Sequence, residues 1–461
     1  MRYTPIAGGV GTSGPTPQVC MSGSSHSDAA ATLNRRLGGF SAALFGLAYI
    51  CPTSVISTFG ILATGAGGAV ATAYSIATIA ILLTAISYAR MAARYPQGGS
   101  AYAYVLRTVN PSAAFLVGWV LALDYFFVPM VICLFTAKAF EVVLPAVSYR
   151  VWVLVIACST TFINLLGIKI ANRVNLTIMV AQLAVIAVLI VLCYLFLGVA
   201  NPATVGRTLA PFVGIHTNFK HIIGGAAIAA YSFLGFDAVT TLSEETRSPT
   251  RNIPIATVFA AAASGAIYIV TSYLMARVHP NTNFKDVDNA GYEVAALVSG
   301  HGFLLIFVVV MIAFIASVMC AQAGSSRLLF AMGRDGALPK VFARLNLRFR
   351  TPDFNIALTG AVMLIGLLVD VDTAASCVNF GAFTAFASVN LCVIYDHLSV
   401  RRVLPGGPVK LLLAGAGASA AVWLLWSLQA TAVVVGLIWL TAGCAYLLVR
   451  TRRRFANARF P

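Results

Sequence analysis

Long apolar stretches separated by short polar connections recur along the chain from residue 38 onwards. A helix that crosses a bilayer needs about 20 consecutive, mostly apolar residues. The windows that meet this requirement lie near residues 38–63, 67–91, 112–143, 150–168, 174–198, 221–245, 255–278, 300–330, 355–370, 373–398, 409–428 and 431–449. The ninth window is short and weakly separated from the tenth at Val369–Thr373, so the pattern predicts twelve spanning helices, or eleven if these two form one.

The composition agrees with a chain that lies mostly inside a membrane. Of its 461 residues, 59% are hydrophobic and only 10% are charged, and the mean hydropathy is +0.89. Soluble domains carry about 25% charged residues, so a soluble protein of this composition would not cover its own surface. This excludes a large soluble enzyme and predicts an all-α integral membrane protein.

The net charge of +16 would suit a nucleic-acid-binding protein, but its distribution indicates another role. If the N-terminus is cytoplasmic and the helices alternate in direction, 24 of the 30 lysines and arginines fall in cytoplasmic segments. Such a bias is typical of multi-pass membrane proteins, whose basic loops stay inside. We therefore expect a protein of the cell membrane (plasma or inner membrane) with both termini cytoplasmic and no nucleic-acid partner.

The segments outside the spans offer little chemistry. Residues 1–34 are rich in Gly, Ser, Thr and Pro, which predicts a disordered cytoplasmic tail rather than a signal peptide. The nine cysteines form no CxxC or CxxH pair, and the six histidines are scattered. These patterns argue against a metal site, a cofactor and an enzyme.

Two spans are interrupted by turn-forming residues. Span 1 reads GGFSAALFGLAYICPTSVISTFGILATG, with Pro52 near its middle, and span 6 reads IIGGAAIAAYSFLGFDAVTTLSEE, with Gly235 just before Asp237. Non-helical backbone at membrane depth is tolerated only where it is buried or lines a cavity, and a matched pair of broken helices points to the binding site of a transporter. The alternative is that the proline and the glycine only kink two packing helices.

Six stretches give the chain a resemblance to the amino acid–polyamine–organocation transporters, most of all to their putrescine-importer branch. They are GLAYICPTSVISTFGI, SYARMAARYPQGGSAYAYV, LDYFFVPM, SFLGFDAVTTLSEETRSPTRNIP, AGSSRLLFAMGRDGALP and NFGAFTAFASVNL. The resemblance implies the leucine-transporter fold, in which spans 1–5 and 6–10 are inverted repeats and helices 1 and 6 are discontinuous. Residues 35–200 would form the first repeat, 201–400 the second, and 401–461 two accessory spans and a basic cytoplasmic tail.

The candidate site residues lie around the two breaks. A charged side chain at the bilayer centre costs about 2.5–3.5 kcal/mol, so Asp237 is expected to bind a substrate ammonium or a proton, or else to cap the following half-helix. The face of Tyr125 in span 3 can stabilise an ammonium. We expect substrate binding by Pro52, Thr53, Ser54, Ser57, Thr58, Tyr125, Ser232, Phe233, Gly235 and Asp237.

Three further acids are expected to act as gates or in ion pairs: Asp124, Glu244 and Glu245. Glu244 lies two α-helical turns after Asp237 and would share its face. Near the cytoplasmic end, Glu244 and Glu245 can pair with Arg247, Arg251 or other basic loops.

The resemblance implies a secondary active transporter that imports putrescine, another polyamine or an amino acid by alternating access. A passive amine channel or facilitator of the same fold is the alternative. Some family members use a lysine in span 5 for proton coupling, and Gln182 falls near that position here, so a proton on Asp237 or the membrane potential would drive uptake. Putrescine importers carry an acid where this sequence has Ser57, which predicts weaker diamine binding and leaves a monoamine or an amino acid open.

Overall fold

In the computed structural model of the protein, the described residues are 37–199, 207–214, 218–284, 286–346, 348–368, 371–400, 407–428 and 430–457. Within these ranges the fold is helical, and the one β-type pairing is a bridge between Leu37 and Thr246. The predicted tail, residues 1–34, lies outside the described residues.

The α-helices of the described ranges are numbered in chain order. They are α1 (Gly39–Ile50), α2 (Ser54–Gly65), α3 (Val70–Arg94), α4 (Ser100–Thr108), α5 (Pro111–Val143), α6 (Tyr149–Leu165), α7 (Ile168–Val199), α8 (Ala210–Val213), α9 (Phe219–Tyr231), α10 (Pro249–Val278), α11 (Ala290–Ser299), α12 (Phe303–Arg334), α13 (Asp353–Ile365), α14 (Val371–Tyr395), α15 (Gly407–Trp426) and α16 (Ala430–Asn457). A 3₁₀ segment, Phe236–Glu244, follows α9 and completes span 6.

Each of the twelve predicted windows contains a helix. Among the described residues, nine helical stretches are long and apolar enough to cross a membrane, and the bent pair α1 and α2 forms a tenth span. The remaining two windows correspond to shorter apolar helices, α6 and Asp353–Leu368. The integral membrane, all-α prediction is therefore confirmed.

Three helices were not predicted from the apolar pattern: the four-residue α8, between spans 5 and 6, and two longer ones. The helix α4 lies between spans 2 and 3, and α11 lies between spans 7 and 8. Both are short, with nine and ten residues, so neither needs the long apolar run by which a spanning helix is recognised. Both nevertheless contribute side chains to the region around the breaks.

Span 1 breaks at the residues CPT. Cys51 adopts a left-handed conformation with φ 57°, and the axes of α1 and α2 differ in direction by 44°. Pro52 has no N–H to continue the hydrogen bonds of α1, and Ser54 N donates to Cys51 O at 2.8 Å where the helix resumes. The break thus leaves backbone groups of residues 50–53 outside regular helical pairing.

Span 6 breaks at the residues SFLG. Gly235 has φ 104°, and a Cβ at this position would overlap the ring of Tyr49. Only glycine combines this backbone conformation with so close a neighbour. The chain then continues as the 3₁₀ segment, which starts at Phe236.

The two broken spans lie in the centre of the helical packing. The helix α1 contacts α7, α10, α12 and the 3₁₀ segment, while α3 packs against α9 and α10. At the edge, α16 docks on α5 through Trp119 and Trp439. Each indole N–H donates to the backbone carbonyl of the other tryptophan, at 2.9 and 2.7 Å, and the rings stack with their centroids 4.9 Å apart.

Candidate substrate site

Tyr268 on α10 joins the two breaks through its hydroxyl group. Its O–H donates to the carbonyl of Ser232 at 2.8 Å, and the same oxygen lies 3.0 Å from the hydroxyl of Ser54. The carbonyl of Ile50, at the end of α1, is 3.3 Å away. The single proton of this hydroxyl thus satisfies the Ser232 carbonyl, a backbone group at the break of span 6.

Tyr74 on α3 makes a second link between the same spans. Its hydroxyl lies 2.9 Å from Thr58 Oγ1 and 3.3 Å from Ser232 Oγ. The rings of Tyr74 and Tyr268 are 5.2 Å apart, and Phe233 meets Tyr268 edge to face at 5.1 Å. Together these rings form an aromatic wall beside the breaks.

Asp237, at the start of the 3₁₀ segment, is buried and faces hydroxyl groups rather than a cation. Its Oδ2 accepts hydrogen bonds from Ser100 Oγ and from the Tyr125 hydroxyl, both at 2.9 Å. Its Oδ1 is buried and has no hydrogen-bond partner in the described part of the chain. A buried carboxylate with one unpaired oxygen is costly, so this oxygen is suited to a hydrogen-bonding cation.

Thr53, inside the first break, is contacted from span 5. The side-chain amide of Gln182 donates to Thr53 Oγ1 at 3.3 Å and lies 3.4 Å from Cys51 Sγ. The position at which relatives were expected to carry a coupling lysine therefore faces the break. A neutral amide occupies it here.

At the end of the helices that holds Leu37 and Glu245, here called the basic end, two ion pairs connect span 6 to α12. Arg327 binds Glu245 Oε2 through Nε at 2.9 Å and Nη2 at 2.8 Å. Arg334 binds both oxygens of Glu244, at 2.6 and 2.7 Å. The start of span 1 is tied to the same place, because Leu37 N donates to Glu245 O at 2.9 Å.

A cavity of about 30 Å³ lies beside the Glu245–Arg327 pair. Its walls include Asn164, Asn175 and Cys320. The cavity is separate from the hydroxyl cluster around Asp237, whose residues do not line it.

At the opposite end, α11 covers α2. The hydroxyl groups of Ser57 and Tyr292 are 2.7 Å apart. Gly291 lies so close to Ile56 that a Cβ would overlap the Ile56 carbonyl oxygen. The region between the breaks is therefore closed at both ends, and Thr53, Phe233 and Asp237 are at most 1% exposed.

Comparison with known proteins places this arrangement in a family. The amino acid permease family model matches residues 37–458. The chain belongs to the amino acid permease family. The low-affinity putrescine importer PlaP of Escherichia coli K12 is 36% identical over 418 residues, which cover 89% of this chain and 92% of the relative.

The names of other relatives of the permease state different substrates. The branched-chain amino acid permease BcaP of Bacillus subtilis is 28% identical over 456 residues, which cover 92% of this chain and 94% of the relative. A methylthioribose transporter of the same organism is 27% identical over 454 residues, with the same coverage. The family resemblance inferred from the sequence motifs is confirmed, whereas these relatives do not agree on one substrate.

Most of the predicted site residues of the permease lie together. Ser54, Thr58, Ser232 and Phe233 contact the two linking tyrosines, and Tyr125 binds Asp237 directly. The buried Pro52 and Thr53 and the left-handed Gly235 form the breaks themselves.

Other predicted residues take different positions. The hydroxyl of Ser57 is hydrogen-bonded to the hydroxyl of Tyr292 in α11. Glu244 and Glu245 pair with arginines of α12, rather than with Arg247 or Arg251. Asp124 is buried, but no ion pair of the described residues includes it.

Sequence reasoning missed the residues that hold the site together. They are Tyr49, Tyr74, Ser100, Tyr268 and Tyr292. Tyr74 and Tyr268 are polar-tipped residues within long apolar helices, and such buried hydroxyls need partners. This is the signal that could have marked them as candidates.

Proposed function

We propose that this permease is a secondary active transporter that imports a small amine or an amino acid across the cell membrane by alternating access. The observation that carries the proposal is the buried carboxylate of Asp237, whose Oδ1 has no partner among the described residues. An ammonium group would supply both the missing hydrogen bond and the opposite charge. The names of the relatives, a putrescine importer and an amino acid permease, support this choice of substrate class.

The two closed ends suggest how access alternates. Opening towards one side requires the contact between Ser57 and Tyr292 to separate, so that α2 moves away from α11. Opening towards the other side requires the Glu245–Arg327 pair to separate and α1 to leave the end of span 6. We assign this closed arrangement to an occluded state between the two, and the charge distribution supports a cytoplasmic position for the basic end.

Uptake is driven by the membrane potential or by protons. Each positive charge that enters gains about 2.3 kcal/mol per 100 mV. Gln182 cannot exchange a proton as a lysine would, so any coupling proton resides on a carboxylate at the centre, such as Asp237.

Uptake into proteoliposomes tests the proposal. The purified full-length protein is reconstituted, and radiolabelled putrescine, spermidine, lysine, leucine and methylthioribose are each supplied with an imposed membrane potential. We expect concentrative uptake of at least one amine or amino acid that protein-free liposomes do not show. If none is taken up and none competes with another, the proposal is wrong.

A passive facilitator of the same fold is the second candidate, and counterflow separates the two. Liposomes are preloaded with unlabelled substrate, and the entry of labelled substrate is followed. A transporter that alternates between closed ends is expected to show transient accumulation of label. Simple equilibration without this overshoot would favour the facilitator.

A further inference from the structure

The turn at the start of α4, residues 98–100, is fastened to the 3₁₀ segment at two places. Ser100 Oγ donates to Asp237 Oδ2 at 2.9 Å, and the backbone N–H of Gly98 donates to Glu244 Oε1 at 3.1 Å. Asp237 is the second residue of the 3₁₀ segment and Glu244 is the last. This turn, here called the α4 turn, therefore keeps a fixed position relative to the central carboxylate.

Packing from the other side also fixes the α4 turn. A Cβ on Gly99 would lie 3.1 Å from the Cβ of Ala331 in α12, so the turn and α12 are in close contact. In α5, a Cβ on Gly118 would lie only 2.9 Å from the ring of Tyr102 in α4. Ser100 itself is completely buried. Its hydroxyl is thus a donor at a defined place, with which the central carboxylate must align.

Ser100 has a backbone conformation that is unusual for a serine, because its φ is 50°. In the described ranges, four residues other than glycine have a positive φ. Two of them, Cys51 and Ser100, are buried, and both lie at the candidate substrate site. Glycine adopts this conformation readily, whereas other residues adopt it at a cost in free energy that is met most often at functional sites. A glycine at position 100 could not donate to Asp237.

Two hydroxyl groups decide which oxygen of Asp237 is open to the substrate. Ser100 and Tyr125 both donate to Oδ2 at 2.9 Å, and Oδ1 is buried without a partner in the part of the chain that the structure describes. With one donor fewer, the carboxylate can turn about its Cβ–Cγ bond and exchange its two oxygens. A group that is held in the binding orientation before the ligand arrives binds it more tightly, because less freedom is lost on binding.

We infer that Ser100 is a positioning residue of the permease, which holds Asp237 so that Oδ1 faces the ammonium group of the substrate. The inference rests on the proposed transport function, and it adds a residue that acts through Asp237 without touching the substrate. It applies equally to an amine and to an amino acid, because both carry an ammonium group. The helix α4, which lies outside the twelve predicted windows, thereby takes part in substrate binding.

Initial rates of uptake into proteoliposomes test this role, because they separate KM from the maximal rate. The probe is whichever of putrescine, spermidine, lysine and leucine the wild-type full-length protein takes up. Ser100→Gly removes the hydroxyl, and glycine accepts the backbone conformation at φ 50° without strain. Because the lost hydrogen bond goes to a charged group, we expect KM to rise about tenfold, with a maximal rate within about twofold of the wild type.

A merely structural role of Ser100 would give the opposite pattern. Loss of folded protein lowers the maximal rate and leaves KM unchanged, because the remaining molecules bind the probe normally. The matched control is Ser248→Gly, since Ser248 has φ 47°, is exposed and directly precedes α10. This variant should keep both the KM and the maximal rate of the wild type.

Ser100→Ala is the second variant, because it removes the same hydroxyl and keeps the Cβ. It should raise KM by the same factor as Ser100→Gly. A raised KM in Ser100→Gly alone would mean that the flexibility of glycine, rather than the lost hydroxyl, changes binding, and would overturn the positioning role. A KM at or below the wild-type value in both variants would overturn it as well.

Uptake by the wild type separates this inference from the proposed function. If the wild type takes up a probe and both Ser100 variants keep its KM, the positioning role is wrong and the transport function stands. If the wild type takes up none of the four probes, both are wrong.

Discussion

At the scale of single residues, the hydroxyl of Tyr268 links the two broken spans. Replacing Tyr268 by Phe removes the bonds to Ser232 O and Ser54 Oγ, while the ring can still pack against Phe233. A typical hydrogen bond contributes about 0.5–1.5 kcal/mol, and here a buried carbonyl is left without its donor. We expect about a fivefold to tenfold loss of substrate affinity, measured by equilibrium binding.

Tyr273→Phe is the matched control for this change, because it removes a tyrosine hydroxyl from the same helix. Tyr273 packs against Phe212, away from the breaks. If the two variants bind substrate equally well, the link through Tyr268 does not stabilise the bound state.

Asp237 gives a second prediction at this scale. In Asp237→Asn the side chain keeps its size, so the hydrogen bonds from Ser100 and Tyr125 can persist, but its charge is lost. Breaking a buried charge pair costs about 3–5 kcal/mol, so we expect concentrative uptake to fall at least a hundredfold while the protein still reaches the membrane. Near-normal accumulation of substrate in proteoliposomes would mean that Asp237 only caps the helical segment that follows it.

The sequence predicts the chemistry of this site better than its assembly. A lone acid near a glycine in an apolar span can be recognised from the sequence, and both Asp237 and Gly235 lie at the break. The partners Ser100 and Tyr268 come from other helices. Which residues of two helices face each other depends on tertiary packing, which local patterns do not contain.

At the scale of elements, the end of span 6 illustrates this limit. The seven-residue spacing places Asp237 and Glu244 on one face of an α-helix. The segment is a 3₁₀ helix, with about 3.0 residues per turn, so the two side chains diverge by about a third of a turn. Asp237 accordingly contacts Tyr125, and Glu244 contacts Arg334. The apolar pattern does not distinguish one helix type from the other.

The ion pair at the basic end gives the third prediction. Glu245→Gln leaves Arg327 buried without its counter-charge, which costs about 3–5 kcal/mol and should favour the state open at this end. Cys320 lies in the cavity beside the pair and is 2% exposed. We expect a water-soluble maleimide to label Cys320 at least tenfold faster in the variant, as measured by peptide mass spectrometry in nanodiscs.

Two comparisons check that the labelling reports this gate. Glu293→Gln, at the exposed surface of α11, makes the same change at the other end and should leave the rate unchanged. Adding Arg327→Gln to Glu245→Gln removes the unpaired charge and should slow the labelling again. A rate in Glu245→Gln equal to that of the wild type would mean that the pair does not hold this end closed.

At the scale of the whole molecule, the spanning helices are the part that the sequence predicts most completely. The bilayer requires apolar helices, so each predicted window contains one, and two of these, α6 and Asp353–Leu368, are shorter than the rest. The short helices α4, α8 and α11 lie outside the predicted windows and were missed. The inverted relation between residues 35–200 and 201–400, and the cytoplasmic placement of the termini, stay predictions.

The charge of the central site gives the last prediction, because it decides which step of the transport cycle moves charge across the membrane. Asp237 loaded with one ammonium group forms a neutral complex, which crosses without electrical work. The empty site returns with one negative charge, and a membrane potential that is negative inside drives it outward. With about 2.3 kcal/mol per charge at 100 mV, one charge corresponds to a substrate gradient of about 50-fold at equilibrium.

Potentials imposed on proteoliposomes with valinomycin and potassium gradients measure how the accumulation of substrate depends on the membrane potential. We expect the accumulation of a singly charged amine to rise about tenfold for every 60 mV in the wild type and in Asp288→Asn, which changes an exposed acid between α10 and α11. An accumulation that ignores the potential and follows the pH gradient would mean that a proton returns in place of the amine.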